Sequence, residues 1–247
     1  MKHIILLMAL ICMGHAFRSG HDMLHHGNRS SVNVPNNDAW ELVKNEAGIA
    51  VYSREISGRD YLEYKGVTRF NASMAGVVSL LEDISSYPSW LYTCRQARVL
   101  KTQEPGQRFI HFVYDVPVYS NRDAVMHSCA ARDRDGNSVT MKFRRVEFSR
   151  TKSLFDGAKI TRDDDNEYVK QLSVSWQLNR VGNEVEVTYI IYLDPDIGFP
   201  GSLRVNATTE GLIFESLKKM RTKLNEAAYR NAAPKVVALL PTVGECW

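Results

Sequence analysis

The sequence predicts an α+β domain, a curved antiparallel sheet wrapped around one long C-terminal helix. Three observations carry this. From Cys94 to Leu193 the apolar period is two, in segments separated by turn residues. In the best of these, Leu172, Val174, Trp176 and Leu178, then Val185, Val187, Tyr189, Ile191 and Leu193, share one face, while Gln171, Ser173, Ser175, Gln177, Glu184, Glu186 and Thr188 share the other. That pattern gives a sheet with one dry face. Beyond the turn Asp194-Pro195-Asp196, the residues Val205, Thr209, Leu212, Ile213, Ser216, Leu217, Met220, Leu224 and Ala227 recur at helical spacing. A helix of about thirty residues, roughly 45 Å long, is expected to run toward Arg230 and cover the dry face.

The chain begins as an export signal begins. Lys2 and His3 precede the apolar run Ile4–Met13, and Gly14-His15-Ala16 is a small-x-small cleavage site, so residues 1–16 read as a signal peptide cut after Ala16. The run is too short to cross a bilayer, and a periplasmic or secreted protein is expected. Cys12 as a lipid-bearing residue is the alternative, although Ile11 before it is a poor match. Residues 17–36 read as a flexible linker, 37–231 as the domain and 232–247 as a tail. His21, Asp22, His25 and His26 lack the spacing of a metal site, and neither metal nor cofactor is expected.

Asn37 and Asp38 are expected to cap a short helix carrying Trp40, Leu42 and Val43 and ended by Gly48. Strands follow at 49–56 and 61–70, with Ser57-Gly58-Arg59 between them. Asn71 and Ser73 start a helix on Met74, Val77, Val78, Leu80, Leu81 and Ile84, and a turn and short helix reach Trp90. Strands are placed at 94–103, 107–115, 122–134, 138–147, 167–179 and 184–193, with residues 148–166 as a polar loop. Cys94 and Cys129 lie on strands, either bonded to each other or as buried thiols.

The 247 residues carry 31 basic and 28 acidic side chains, a net charge of +3. With no basic stripe interleaved with aromatics, nucleic acid is not an expected partner, and a monomer is expected. Lys218, Lys219, Arg221 and Lys223 form either a solvated helix face or a transient contact with anionic membranes. No Gly-x-Ser-x-Gly elbow, phosphate-binding glycine loop or His-Glu-x-x-His occurs, so no catalytic residue is assigned. Polar residues on apolar strand faces are the informative ones. Arg145 follows Val139, Met141 and Phe143 on one face, where it either snorkels out at the sheet end or meets an occupant. His111 sits between Phe109 and Val113, and either His127 or Ser128 points inward from its strand. Arg122-Asp123 at a strand start is expected to pin the preceding loop to its neighbours.

Several pieces then match in order. They are Gly48 to Arg54, Asp83-x3-Tyr87-x2-Trp90, Cys94 to Leu100, Val116-Pro117 through Asn121-Arg122-Asp123, Trp176, and Asp194-Pro195 through Gly198-x-Pro200 to Asn206. Over Trp40 to Leu224 the chain resembles the START domains, the lipid-binding domains related to steroidogenic acute regulatory protein, in their exported bacterial form. The resemblance implies a helix-grip fold around an apolar tunnel holding one lipid, with the loop before Arg122 and the long helix flanking its mouth. The expected cavity and gate residues are His111, Val113, Val118, Arg122, Met126, Ser128, Met141, Phe143, Arg145, Trp176, Tyr189, Thr209, Ile213 and Ser216. Sterol-binding members carry an arginine where this chain has Ser128, partnered by an acid where it offers Phe112 or Val113. An acyl chain, phospholipid or isoprenoid is therefore as fitting a ligand as a sterol. The alternative is a helix-grip cyclase or hydrolase, which would need an acid–base pair such as His111 or His127 with Tyr114.

Overall fold

A computed structural model describes residues 39–116, 119–158, 163–198 and 201–243, apart from the side chains of 158 and 201–204. The expected signal peptide and linker, and the cluster His21 to His26, lie outside the described residues. In chain order the elements are β1 (Glu41–Glu46), β2 (Ile49–Arg54), β3 (Glu63–Phe70), α1 (Met74–Glu82), α2 (Tyr87–Trp90), β4 (Cys94–Glu104), β5 (Gln107–Tyr114), β6 (Arg122–Arg132) and β7 (Ser138–Arg145). They continue with α3 (Lys152–Ala158), β8 (Glu167–Tyr168), β9 (Gln171–Val181), β10 (Glu184–Asp194), α4 (Gly201–Lys223), α5 (Ala227–Arg230) and α6 (Lys235–Ala238). One sheet runs in the order β1-β2-β3-β10-β9-β7-β6-β5-β4 with antiparallel neighbours, and β8 lies parallel to β6.

The concave face is the dry one, and register shows who shares it. Val51, Gly66, Tyr189, Trp176 and Met141 stand side by side across five strands. Tyr114, Phe112 and Ile110 of β5 oppose Arg122, Ala124 and Met126 of β6. α4 lies in this concavity. It packs tightly at Gly66, where an added Cβ would sit 2.4 Å from Ile213 Cγ2 and 2.7 Å from Leu217 Cδ1. α1 closes the side wall with Met74, Val77, Val78, Leu80 and Leu81 buried, and Ser73 caps it by accepting from Gly76 N at 3.0 Å.

Five expectations need correcting. The helix expected before Gly48 is the edge strand β1. Leu42 and Val43 are both exposed, so they form no buried stripe, and Ala47 (φ 52°) and Gly48 (φ 72°) make the left-handed hairpin turn into β2. The polar loop 148–166 contains α3, anchored by buried Phe155. The strand expected at 167–179 is two strands, because β8 pairs with β6 and β9 with β7. α4 has 23 residues, about 35 Å, and the turn after Lys223 separates it from α5. The presumed tail folds back: Val237 and Leu240 join the core, and Arg132 N donates to Pro241 O at 2.9 Å.

Cys94 and Cys129 are not bonded to each other. Cys94 is a buried free thiol at the start of β4, whereas Cys129, near the far end of β6, is disulfide-bonded.

Candidate functional site

Two small apolar voids lie against the concave face, the first beneath α4 and the second beneath α2. The first, about 30 Å³, opens beside Val116 and Pro195 and is walled by Leu172, Ile191 and Leu193 of the sheet and by Val205, Thr209 and Leu212 of α4. The second, about 20 Å³, lies deeper among Leu91, Phe112, Met126, Phe143, Val174, Trp176 and Tyr189. Tyr114 borders both. Aromatic rings separate them. Trp176 and Tyr189 stack at 3.9 Å between centroids, Trp90 meets Trp176 edge-on, and Phe112 stacks on Tyr114 at 5.6 Å. Burial pushes the phenols of Tyr114 and Tyr189 well above their ordinary range, so both are neutral hydroxyls. Neither hydrogen-bonds another group among the described residues.

The mouth is built around Arg122. Its side chain is 3% exposed, so each donor needs an acceptor. Nε donates to Pro195 O at 2.8 Å, Nη1 to Ser120 O at 2.7 Å, and Nη2 pairs with Glu167 at 2.8 Å. One guanidinium thereby ties the loop before β6, the turn before α4 and β8 together while bordering the mouth void. Pinning of that loop is what the Arg122-Asp123 pair predicts. The turn itself is shaped by Asp194, whose carboxylate accepts from Asp196 N at 2.9 Å and leaves Asp196 in the left-handed region at φ 62°. Thr93, also on the mouth wall, has φ 65°, a costly conformation for a β-branched residue. Asn206 of α4 accepts from Leu62 N at 3.3 Å, and Tyr61 hydrogen-bonds Ile197.

The candidate residues separate into groups. Arg122 and Thr209 border the mouth void, and Met126, Phe143, Trp176 and Tyr189 the deep one. Met141 on the concave face and Ile213 on α4 are packed in the core. Ser216 Oγ accepts from Tyr92 N at 3.0 Å and tethers α4 to the turn before β4. Ser128 also has the inward parity, yet its hydroxyl donates to Arg108 O at 3.3 Å, and register sets Arg108, not Phe112 or Val113, opposite it. Val118 lies outside the described residues.

His111, Val113 and Arg145 do not line the cavity. The inward residues of β5 are Ile110, Phe112 and Tyr114, so His111 and Val113 point to the convex face. There His111 Nε2 lies 3.0 Å from Asp123 Oδ1, and Phe155 of α3 packs edge-on against its ring at 4.9 Å. Burial on both faces hid this parity from the sequence. Arg145 follows the snorkelling alternative: at the end of β7 it reaches Glu147 at 2.6 Å and passes over the Tyr168 ring. His127 stacks on Phe109 at 4.6 Å, also on the convex side. Neither histidine therefore comes together with Tyr114. The sequence reading missed Tyr114, Leu172, Ile191, Leu193, Val205 and Leu212 as cavity walls, although alternation and helical spacing had placed five of them on the dry surface.

No family model matches the chain. An uncharacterised protein of Pseudomonas aeruginosa is 28% identical over 185 residues, covering 74% of this chain and 85% of its own length. The crystal structure of a STAR-related lipid transfer protein (fragment 25–204) from Xanthomonas axonopodis superposes with a TM-score of 0.65 at 25% identity, over 76% of this chain and 100% of that one. Human StAR-related lipid transfer protein 5 gives 0.62 at 11% identity, over 76% and 88%, a likeness of fold.

Proposed function

We propose that this chain, whose fold is that of the START lipid-transfer domains, binds one apolar lipid between α4 and the concave face of its sheet. The observation that carries the reading is the pair of apolar voids on the concave face, joined at Tyr114, the first beneath α4 with Arg122 on its wall and the second beneath α2. Burial of an acyl, prenyl or sterol skeleton there supplies affinity at about 25 cal/mol per Å². Arg122, Thr209 and the hydroxyls of Tyr114 and Tyr189 are the polar groups placed to orient a headgroup. Ligand sites usually measure about 300–1,000 Å³, and the two voids are about 30 and 20 Å³. Entry therefore requires the rings of Tyr114, Trp176 and Tyr189 to swing and the mouth end of α4 to move from the 116–121 loop. The chain is proposed to carry or present its lipid outside the cytoplasm, on the strength of the signal-like residues 1–16.

Native mass spectrometry of protein purified from its own host, with titration of a fluorescent fatty acid, tests the binding. A bound lipid mass and saturable probe binding are expected, and Leu172→Arg, which places a charge in the mouth void, should abolish the latter in folded protein. No bound lipid together with no probe binding would sink the proposal. Val116 and Val205 border the same void. If Val116→Cys with Val205→Cys oxidises and lipid exchange continues unchanged, the gate is not there. N-terminal sequencing of the exported protein should begin at Phe17, and a start at Met1 refutes the signal peptide.

A further inference from the structure

A second concavity lies at the other end of the sheet. β6 begins at the mouth with Arg122 and ends at Arg132, ten steps or roughly 33 Å away. At that end Arg132, Arg134 and Arg180 border a groove of about 420 Å³, together with Met74 and Ala75 at the start of α1. Topology brings these residues together. Arg132 opposes Val139, Val139 opposes Leu178, and Arg180 follows two residues later on the same side of β9, while Arg134 enters the turn between β6 and β7.

The arginines are unevenly occupied. Arg134 and Arg180 are exposed, and neither side chain has a hydrogen-bond or ion-pair partner among the described residues. Arg132 is half-buried. Its Nη1 donates to the carbonyls of Asp133 at 3.0 Å and Arg134 at 3.1 Å, which fixes the guanidinium, while its Nε is buried with no acceptor among the described residues. A buried donor left unpaired is costly, so an acceptor reaching this side chain is favoured. Against the three guanidinium groups the described residues of the groove wall offer one carboxylate, Asp135, a balance of three minus one, or +2. The first turn of α1, a nine-residue helix, holds no acidic residue, so its positive end adds to the same field.

We propose that this groove is an anion site for a phosphate monoester, separate from the lipid cavity. The wall charge of +2 matches the roughly −1.5 to −2 of such a group at neutral pH, and planar guanidinium forks suit its oxygens. The monoester is either a soluble phosphate or the headgroup of phosphatidic acid in a membrane.

The test titrates the full chain with inorganic phosphate at constant ionic strength, following the amide spectrum. A second arm sediments it with phosphatidylcholine vesicles containing phosphatidic acid, with phosphatidylglycerol vesicles as the diester control. Saturable phosphate binding without vesicle binding assigns the groove to soluble monoesters. Binding to phosphatidic acid vesicles that inorganic phosphate competes away assigns it to the headgroup. In either case Arg134→Glu with Arg180→Glu should weaken binding by at least about tenfold, while uptake of a fluorescent fatty acid stays unchanged because neither arginine borders the lipid cavity. Absence of binding in both arms overturns the proposal, as does a doubly substituted protein that binds within about twofold of wild type.

Discussion

Gly66→Ala is a sharp test of how closely α4 grips the sheet. Gly66 occupies the middle of β3, and its φ is one that alanine adopts, so the substitution acts through space alone. The new methyl would stand 2.4 Å from Ile213 Cγ2 and 2.7 Å from Leu217 Cδ1, where carbon atoms prefer about 3.5–4.0 Å. Leu217 can swing its terminal methyl aside. Ile213 cannot, because a β-branched residue in a helix is held to one rotamer. The helix must therefore rise by about 1 Å locally. Overpacking of this kind costs about 1–3 kcal/mol, offset by the 0.5–1 kcal/mol or so that alanine gains over glycine in a strand. The net expectation is a loss of about 1–2 kcal/mol, which for a chain of this size lowers Tm by about 2–8 °C. Ile213→Ala alone should cost about 2–5 kcal/mol and distinctly less in the Gly66→Ala background, with a coupling of about 1 kcal/mol or more. Urea unfolding of the four proteins measures both quantities. If Gly66→Ala is as stable as wild type, or if the two changes add, the helix does not press on Gly66 and the clasp described above is wrong.

Other outcomes follow from single sites. Burial raises the Glu82 carboxyl above its ordinary 4.5, with Arg108 at 2.5 Å opposing the shift. A carboxyl raised in the folded state holds more protons than in the unfolded chain, so its favourable contribution is complete below about pH 4.5 and is lost as pH rises through the folded value. Urea midpoints from about pH 4.5 upward should accordingly shift in favour of Glu82→Gln relative to wild type, and parallel pH profiles would contradict the buried placement. The Cys94 thiol is pushed up to about 12 by burial. Alkylation of the native protein at about pH 8 should leave it unmodified in peptide maps until denaturant is added, whereas rapid native labelling would mean that the start of β4 is open. Thr93→Gly relieves the left-handed backbone at φ 65° and should stabilise by about 1 kcal/mol in thermal unfolding; a loss of stability would show that Thr93 contributes more by packing than its backbone costs.

Strand periodicity carried most of the architecture because β9 and β10 are dry on one face only, so their alternation is clean. β5 failed for the opposite reason. Ile110, His111, Phe112 and Val113 are all buried, with Phe112 against Tyr87 of α2 on one face and His111 against Phe155 of α3 on the other, so a period of two leaves no trace in them. The strand Glu41–Glu46 failed because an exposed edge places no demand on side-chain pattern. Helix α3 was invisible because one residue, Phe155, anchors seven. Arg122 was legible as a loop pin from its charge and place at a strand start. The voids were not, since their existence depends on which rings meet across strands far apart in sequence.

The tether between Ser216 and Tyr92 divides α4 into unequal arms. On its far side Leu217 presses on the sheet at Gly66 and Arg221 donates to Ala47 O and Thr68, so that end is clamped. The arm from Gly201 to Ser216 has fifteen steps, about 22 Å, with the mouth void beneath it. A tilt of about 10° about Ser216 would carry its tip through about 4 Å, close to the width of an acyl chain, while moving the clamped end by little. In the proposed lipid carrier a helix seated in this way would be a lever, and its pivot would set the size of the doorway.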